Sequence, residues 1–162
     1  MAVVFRTQVR EHRGPPVEQF PWGRGPRLNV HVVCTNLERA NLKSIGAAHR
    51  LAGKLARNLG ARVTVLAAQV VPYPLPLERP PVPIEFTERA LLRMVCDEEV
   101  ETAIEVRLCR DSEETIREAL PPGSVVVMGG RRRWWPIREW IFAWRLRRDG
   151  HHVIYADSSH SL

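Results

Sequence analysis

Apolar residues recur along the chain in two alternating patterns. Short runs that are apolar throughout or at every second position predict strands, and stretches with apolar residues three and four apart predict helices. The predicted strands cover residues 28–34, 61–71, 103–109, 125–128 and 153–156, and the predicted helices run from after residue 36 to residue 59 and over 85–100, 111–120 and 136–148. The order β-α-β-α-β-α-β-α-β predicts an α/β fold, a parallel sheet between two layers of helices.

The stretch before the first strand lacks a sustained pattern. It contains Gly14-Pro15-Pro16, Pro21-Trp22-Gly23 and Gly25-Pro26, which are typical of irregular chain. We therefore expect an irregular basic N-terminal arm over 1–27, one domain over 28–157 and a polar tail over 158–162. The six prolines between residues 72 and 83 predict a stiff loop after the second strand.

Local patterns refine three of these elements. Phe86, Leu91, Met94 and Val95 fall on one face of the second predicted helix. Residues 103–109 alternate between apolar and polar positions, which favours a strand at an edge of the sheet. Asp111 followed by Glu114 predicts a capping box at the start of the third helix.

Composition narrows the class of protein. The 162 residues fit one domain, and the chain contains no run of 18 apolar residues, so we expect no membrane-spanning helix. Arg6 interrupts the opening apolar stretch, so no secretory signal is expected. Three cysteines without a CxxC pair argue against a disulfide framework or a zinc ribbon. These features predict a soluble, cytoplasmic protein.

The positive charge is concentrated in two segments. The net charge is +6, and residues 1–27 carry five arginines against two glutamates, while residues 131–148 carry seven arginines against one glutamate. The remainder is slightly acidic, and Lys43 and Lys54 are the two lysines among 24 basic residues. Arginine suits phosphate and carboxylate partners, although heavy arginine usage can also reflect genome composition.

Open parallel sheets bind ligands beyond the carboxyl ends of the strands where the strand order reverses. If the first strand is central, this crevice lies between the first and fourth strands, where helix N-termini also favour anions. Paired glycines there would let a ligand or another chain approach closely; alternatively, they only turn the chain and the arginines are solvated. The candidate nucleotide- or anion-binding residues are Thr35, Asn36, Gly129, Gly130, Arg131, Arg132 and Arg133.

Four of the five tryptophans, Trp134, Trp135, Trp140 and Trp144, lie within eleven residues. In the last predicted helix, Ile137, Trp140, Ile141 and Trp144 share one face, with Phe142 and Leu146 nearly opposite. One face must pack on the sheet, and the other needs a cover. The N-terminal arm, a second subunit or a lipid headgroup region could provide it; a partner surface, most simply a homodimer, is the first choice. Alternatively, the indole rings fill the crevice.

Residues 28–157 resemble the universal stress protein family. The resemblance rests on Val30-His31-Val32-Val33-Cys34-Thr35-Asn36, on Ala56-Arg57-Asn58-Leu59-Gly60-Ala61, on Val63-Thr64-Val65-Leu66, on Gly123 to Gly130 and on Gly150-His151-His152-Val153-Ile154. It implies a three-layer αβα sandwich of the adenine nucleotide alpha hydrolase-like type, with a five-stranded parallel sheet of order 3-2-1-4-5. It also implies a role in stress response, frequent dimers along the last strand and, in one branch, ATP in the crevice.

The sequence departs from the nucleotide-binding branch at three places. Asn36 stands where that branch has an aspartate, residues 131–135 replace its spaced glycines, and Trp140-Ile141 replace its Gly-Ser or Gly-Thr pair. The sequence therefore predicts a binding or signalling module without a cofactor, which does not bind ATP in the usual pose. The first alternative is an ATP or AMP binder with an arginine-assisted phosphate site and, at most, slow hydrolysis. The second is a binder of nucleic acid or of an anionic membrane surface through Arg131-Arg132-Arg133 and the tryptophans.

No motif in the sequence supports catalysis, and no metal site is predicted. The chain lacks a P-loop, a GxSxG elbow and an HExxH motif. Cys34, Cys96 and Cys109 fall in predicted strands or helices, which favours buried, inert thiols. His151 and His152 are neighbours on a strand and therefore point to opposite faces. We predict that the protein is not an enzyme.

Overall fold

The computed structural model describes residues 5–6, 10–12, 28–37, 39–95, 100–130 and 137–157. Within these ranges the chain forms seven strands and four helices. The strands are β1 (Phe5–Arg6), β2 (Arg10–His12), β3 (Asn29–Cys34), β4 (Arg62–Val70), β5 (Thr102–Cys109), β6 (Val125–Gly130) and β7 (His152–Asp157). The helices are α1 (Arg39–Leu59), α2 (Ile84–Val95), α3 (Ser112–Ala119) and α4 (Ile137–Arg148).

Five strands form a parallel sheet in the order β5-β4-β3-β6-β7. These are the five predicted strands in chain order, so the expected order 3-2-1-4-5 is confirmed. Val32 at the centre of β3 is in register with Val65 on β4 and with Val127 on β6. The strand order therefore reverses at β3, which puts the carboxyl ends of β3 and β6 side by side.

The sheet separates two apolar clusters. Residues of α1 and α2 pack against one face, and residues of α3 and α4 pack against the other. Side chains of β3 alternate between them, with Val32 in the first cluster and Val33 in the second. Because both faces are covered, the central strands are apolar almost throughout, as parallel strands generally are. The predicted three-layer αβα sandwich is therefore the observed architecture.

The N-terminal arm is not wholly irregular, which corrects the expectation for residues 1–27. β1 and β2 pair antiparallel with β5, with Phe5 opposite Leu108 and Arg10 opposite Ile104. The physical reason is that β5 ends the parallel set, and an edge strand presents N–H and C=O groups that can pair with another strand. The rest of 1–27 and the predicted tail at 158–162 lie outside the described residues.

The packed face of helix α2 agrees with its prediction in part. The helix is described as far as Val95, and residues 96–99, over which the prediction continued it, lie outside the described residues. Leu91 and Val95 of the predicted apolar face are buried in the core, whereas Phe86 is 64% exposed and Met94 is 37% exposed. Thr87 is also on the packed side: it is buried, and its hydroxyl donates to Gln69 Oε1 on β4 at 2.7 Å.

The proline-rich loop between β4 and α2 is attached to the domain by side chains of the sheet. Gln69 Nε2 donates to the carbonyl oxygen of Val82 at 2.6 Å. Arg110, just after β5, donates to the carbonyl oxygens of Val71 at 2.6 Å and Leu75 at 2.7 Å. The Arg110 guanidinium also lies 4.0 Å from the centre of the Tyr73 ring. The loop therefore has a defined position beside the carboxyl end of β4.

Asp111 caps α3 as predicted: its Oδ1 accepts from the backbone N–H of Glu114 at 2.9 Å. We expect Asp111→Ala to lower the free energy of unfolding by about 1 kcal/mol, the usual cost of losing an N-cap. Urea denaturation measures this loss. Glu114→Gln is the matched control, because the cap uses only the backbone of that residue. An equal loss in both variants would contradict the role of the cap.

Candidate functional site

The carboxyl ends of β3 and β6 bring three of the predicted site residues together. Thr35, Asn36 and Gly129 line one small cavity with Ser44 of α1 and Glu139 of α4. Gly130 is buried beside it and is in register with residue 157 of β7. The predicted residues Arg131, Arg132 and Arg133 lie outside the described residues.

This crevice is much smaller than a nucleotide. Its volume is about 30 Å³, which has room for about two water molecules. Pockets that bind ligands of drug or cofactor size usually measure about 300–1,000 Å³. In the described part of the site, Thr35 and Asn36 therefore border a nearly filled space.

Gly129 explains why the crevice is filled. A Cβ atom built at this position would lie 2.6 Å from the carbonyl carbon of Ser44 and closer still to its oxygen, so the backbone of α1 rests directly on β6. Gly129 is part of the strand and does not have a positive φ. The interpretation that Gly129 turns the chain is therefore wrong. The close approach that the sequence predicted for a ligand or another chain is made by the protein's own helix.

Glu139 contributes an acidic group to the crevice. It is half-buried, and its burial raises the pKa of its carboxyl group. Burial also raises the pKa of the neighbouring Cys34 thiol to about 12, with a smaller contribution from the charge of Glu139. The thiol donates to the carbonyl oxygen of Asn36 at 3.2 Å. At neutral pH the crevice thus contains a protonated thiol and a carboxyl group that would repel phosphate when ionised.

Cys109, His151 and His152 do not line the crevice. Cys109 is buried, and its thiol lies 3.7 Å from the carbonyl oxygen of Gln69; Cys96 lies outside the described residues. His151 is buried and its Nδ1 accepts from the backbone N–H of Ser124 at 3.2 Å, whereas His152 is exposed. His151 lies just before β7 and His152 is its first residue, so the opposite orientation of the two side chains stays a prediction.

The described tryptophans do not fill the crevice, which corrects that alternative for Trp140 and Trp144. They are 60% and 51% exposed, while Trp134 and Trp135 lie outside the described residues. The face of α4 that packs on the sheet consists of Phe142, Ala143 and Leu146, all at most 1% exposed. α4 therefore presents its tryptophan face outward.

Sequence reasoning missed a larger groove between α3 and α4, at the carboxyl ends of β4 and β5. Its volume is about 460 Å³. The lining residues are Val70, Arg110, Asp111, Ser112, Glu113, Arg138, Ile141 and Arg145. A sequence signal for part of it was present, because Arg138 and Arg145 lie seven residues apart, which puts them on one side of a helix.

Charges in this groove are partly neutralised. Arg145 Nη1 forms a salt bridge with Glu113 Oε2 at 3.0 Å, whereas Arg110 donates to backbone carbonyls and forms no salt bridge with a carboxylate that the structure describes. Arg138 is exposed and makes no hydrogen bond or salt bridge with any residue that the structure describes. The groove can therefore accept an anionic group from solvent.

The described ranges hold neither a candidate metal site nor a membrane-spanning helix. No three histidine, cysteine, aspartate or glutamate side chains in them are grouped so that they could hold a metal ion. Among the helices of the same ranges, none combines the length and the apolar character needed to cross a bilayer.

Comparisons with known proteins give a likeness in structure. No family model matches the chain, and no curated protein matches it. A universal stress protein from Archaeoglobus fulgidus superposes with a TM-score of 0.54 at 13% identity, over 80% of this chain and 93% of that chain. A structure of the universal stress protein from the same organism in complex with dAMP gives a TM-score of 0.48 at 14% identity, over 80% of this chain and 98% of that one. With its strand order and helix layers, the chain has the fold of a universal stress protein.

Proposed function

We propose that this chain is a non-catalytic binding module that does not hold ATP in the crevice between β3 and β6. The observation that carries this proposal is the contact of Gly129 with the backbone of Ser44, which leaves a cavity of about 30 Å³. Enlarging the crevice on the side of Ser44 would require α1 to move away from the sheet. That movement would open the apolar cluster to which Ile45 and Ala48 belong.

The chemistry of the crevice supports the same proposal. Glu139 contributes a carboxyl group where a bound triphosphate would need donors and positive charge. The Cys34 thiol is buried, and with a pKa of about 12 it remains protonated at neutral pH. A protonated thiol is a poor nucleophile, which favours binding over covalent catalysis.

We expect ATP and AMP, each at 1 mM, to leave the melting temperature of the full chain unchanged. A nucleotide with a Kd of about 10 μM would stabilise the fold by about 2.7 kcal/mol at that concentration, which thermal denaturation readily detects. Glu139→Gln tests whether the charge of Glu139 or the lack of space prevents binding. Because the space is filled, we expect no binding in this variant either. A saturable stabilisation of the wild-type chain that Gly129→Ala abolishes would contradict the proposal.

The groove between α3 and α4 supports a second candidate function, the binding of an adenine nucleotide or another small anion. Its volume of about 460 Å³ is within the range of ligand pockets, and Arg138 has no partner among the described residues. In this case ATP would stabilise the wild-type chain, and Arg138→Gln would remove the effect. Arg89→Gln, an exposed arginine on α2, is the control and should not change it.

A further inference from the structure

The exposed face of α4 is unusual because large apolar side chains cover its outer side. Trp140 and Trp144 are 60% and 51% exposed, and Ile141 is 36% exposed. The helix is already fixed to the sheet by its opposite face. The two indole rings are therefore not needed to complete the core, although exposing them to water is unfavourable.

The charges around this face have one sign. α4 carries Arg138, Arg145, Arg147 and Arg148 against a single acidic residue, Glu139. Glu139 lines the crevice on the sheet side of the helix. The outward side of α4 therefore combines apolar rings with arginines and has no carboxylate of its own.

Two carboxylates beside α4 already have partners. Glu113 is paired with Arg145 at 3.0 Å, and Asp149, just beyond the helix, is held by Arg117 at 2.7 Å. Arg138 and Arg148 form no salt bridge with a described residue. Two positive charges at opposite ends of the helix are thus available for an external anion.

The arginines are also arranged around the rings. The guanidinium carbon of Arg148 lies 5.6 Å from the centre of the Trp144 ring, and that of Arg147 lies 5.4 Å from the Tyr155 ring on β7. Trp140, Trp144 and Arg148 follow one another at intervals of one turn, which places them along one line of the helix. With about 1.5 Å per residue, the 12-residue helix offers a strip about 18 Å long.

We propose that this face of α4 docks the protein onto an anionic lipid surface. The indole rings of Trp140 and Trp144 would enter the headgroup layer, where tryptophan is favoured, and the arginines would contact lipid phosphates and carboxylates. A lipid surface suits this face better than a protein partner does, because the rings project outward and a fluid headgroup layer needs no matching pocket. The proposal is independent of the crevice between β3 and β6, since none of its residues contributes to that cavity.

The test is sedimentation of the full chain with vesicles of phosphatidylcholine, with and without phosphatidylserine. We expect binding to the anionic vesicles that weakens as salt is added. Trp140→Ala combined with Trp144→Ala should reduce partitioning at least about tenfold, because the variant no longer buries two indole rings in the headgroup layer. Residues 131–135 remain unchanged in all variants, so that the effect reports on α4.

The controls test whether partitioning requires this face of α4 specifically, and whether each variant is still folded. Phe86→Ala removes an aromatic ring of similar exposure from α2, on the other side of the sheet, and should leave partitioning unchanged. Arg148→Gln should reduce it by about fivefold, the contribution of one arginine near an anionic surface. Thermal denaturation of each variant verifies that the domain is folded.

Four results would overturn the proposal. Equal partitioning to neutral and anionic vesicles would exclude the charge contribution, and unchanged partitioning of the double tryptophan variant would exclude the rings. A dimer that the double variant converts to a monomer would show that a second copy covers the face. Tighter tryptophan-dependent binding to a single-stranded oligonucleotide than to vesicles would assign the face to nucleic acid instead.

Discussion

Gly129→Ala should lower the free energy of unfolding by about 3 kcal/mol or more. The new Cβ would lie 2.6 Å from the carbonyl carbon of Ser44, which belongs to the backbone of α1 and cannot rotate away as a side chain can. The helix must therefore shift from the sheet, and overpacking that moves the backbone is at the upper end of the usual range. Urea denaturation followed by circular dichroism measures this change.

Gly46→Ala is the matched control for this prediction. Gly46 is a buried glycine of α1 itself, but its added Cβ would meet Arg50 Nη1 at 3.8 Å and the carbonyl oxygen of Met94 at 4.0 Å, which is ordinary contact. Because alanine favours a helix more than glycine does, this variant should gain up to about 1 kcal/mol. If the two variants shifted stability in the same direction and by similar amounts, the contact between α1 and β6 would not be as tight as the structure shows.

The second large effect is a loss of stability in acid that originates at His49. His49 is fully buried in α1, and its Nε2 lies 2.9 Å from Thr102 Oγ1. The Thr102 hydroxyl donates to the carbonyl oxygen of Val100 at 3.1 Å, so Nε2 must be the protonated nitrogen that donates to Thr102. Nδ1 has no hydrogen-bond partner among the residues that the structure describes and is a bare acceptor there. A second proton there would be buried without an acceptor.

Burial therefore lowers the pKa of His49 from 6.5 to about 4, and the nearby positive charge of Arg50 acts in the same direction. Because the folded pKa lies below the unfolded value, this contribution to stability is complete above pH 6.5. It declines as the pH falls towards 4, where the folded protein itself becomes protonated. The shift corresponds to a loss of about 3 kcal/mol across that interval.

The comparison of wild type with His49→Gln isolates this contribution from the titration of carboxyl groups. The amide of glutamine can still donate to Thr102 but does not titrate, so the variant should lose about 3 kcal/mol less between pH 7 and pH 4. His31 is a second buried histidine whose pKa is lowered by burial, which leaves a residual slope in both proteins. Direct titration of the ring by NMR provides an independent check: a midpoint near 6.5 in the folded protein would contradict the assignment.

The sequence was sufficient to predict the sheet because the apolar pattern of each strand reflects which of its faces are buried. Val63 to Val71 is apolar almost throughout, since both faces of a central parallel strand are covered. The pairing of β1 and β2 with β5 was not predictable in the same way. Two- and three-residue strands have no periodicity of their own, and their position depends on the edge that they cover.

The site was less predictable, because the residues that line it and the space between them depend on which elements pack against each other. The glycines after residue 128 correctly indicated a close approach, but only the tertiary structure shows that Ser44 of α1 is the neighbour. Glu139 was a detectable clue, as the one acidic residue of an arginine-rich helix three positions before the buried Phe142. Arg131, Arg132 and Arg133 remain predicted anion-binding residues, because the structure does not describe them.

The pairing at the outer side of β5 limits how the sheet can grow. Positions 102–104 and 107–108 of β5 already face β1 and β2. A strand from another molecule would have to displace the protein's own segment to add there, whereas β7 ends the sheet on the opposite side. On the side of β5 the sheet therefore ends in strands of only two and three residues, β1 and β2. Such short edge strands offer few backbone groups to another molecule, so this arrangement opposes open-ended growth of the sheet into fibres.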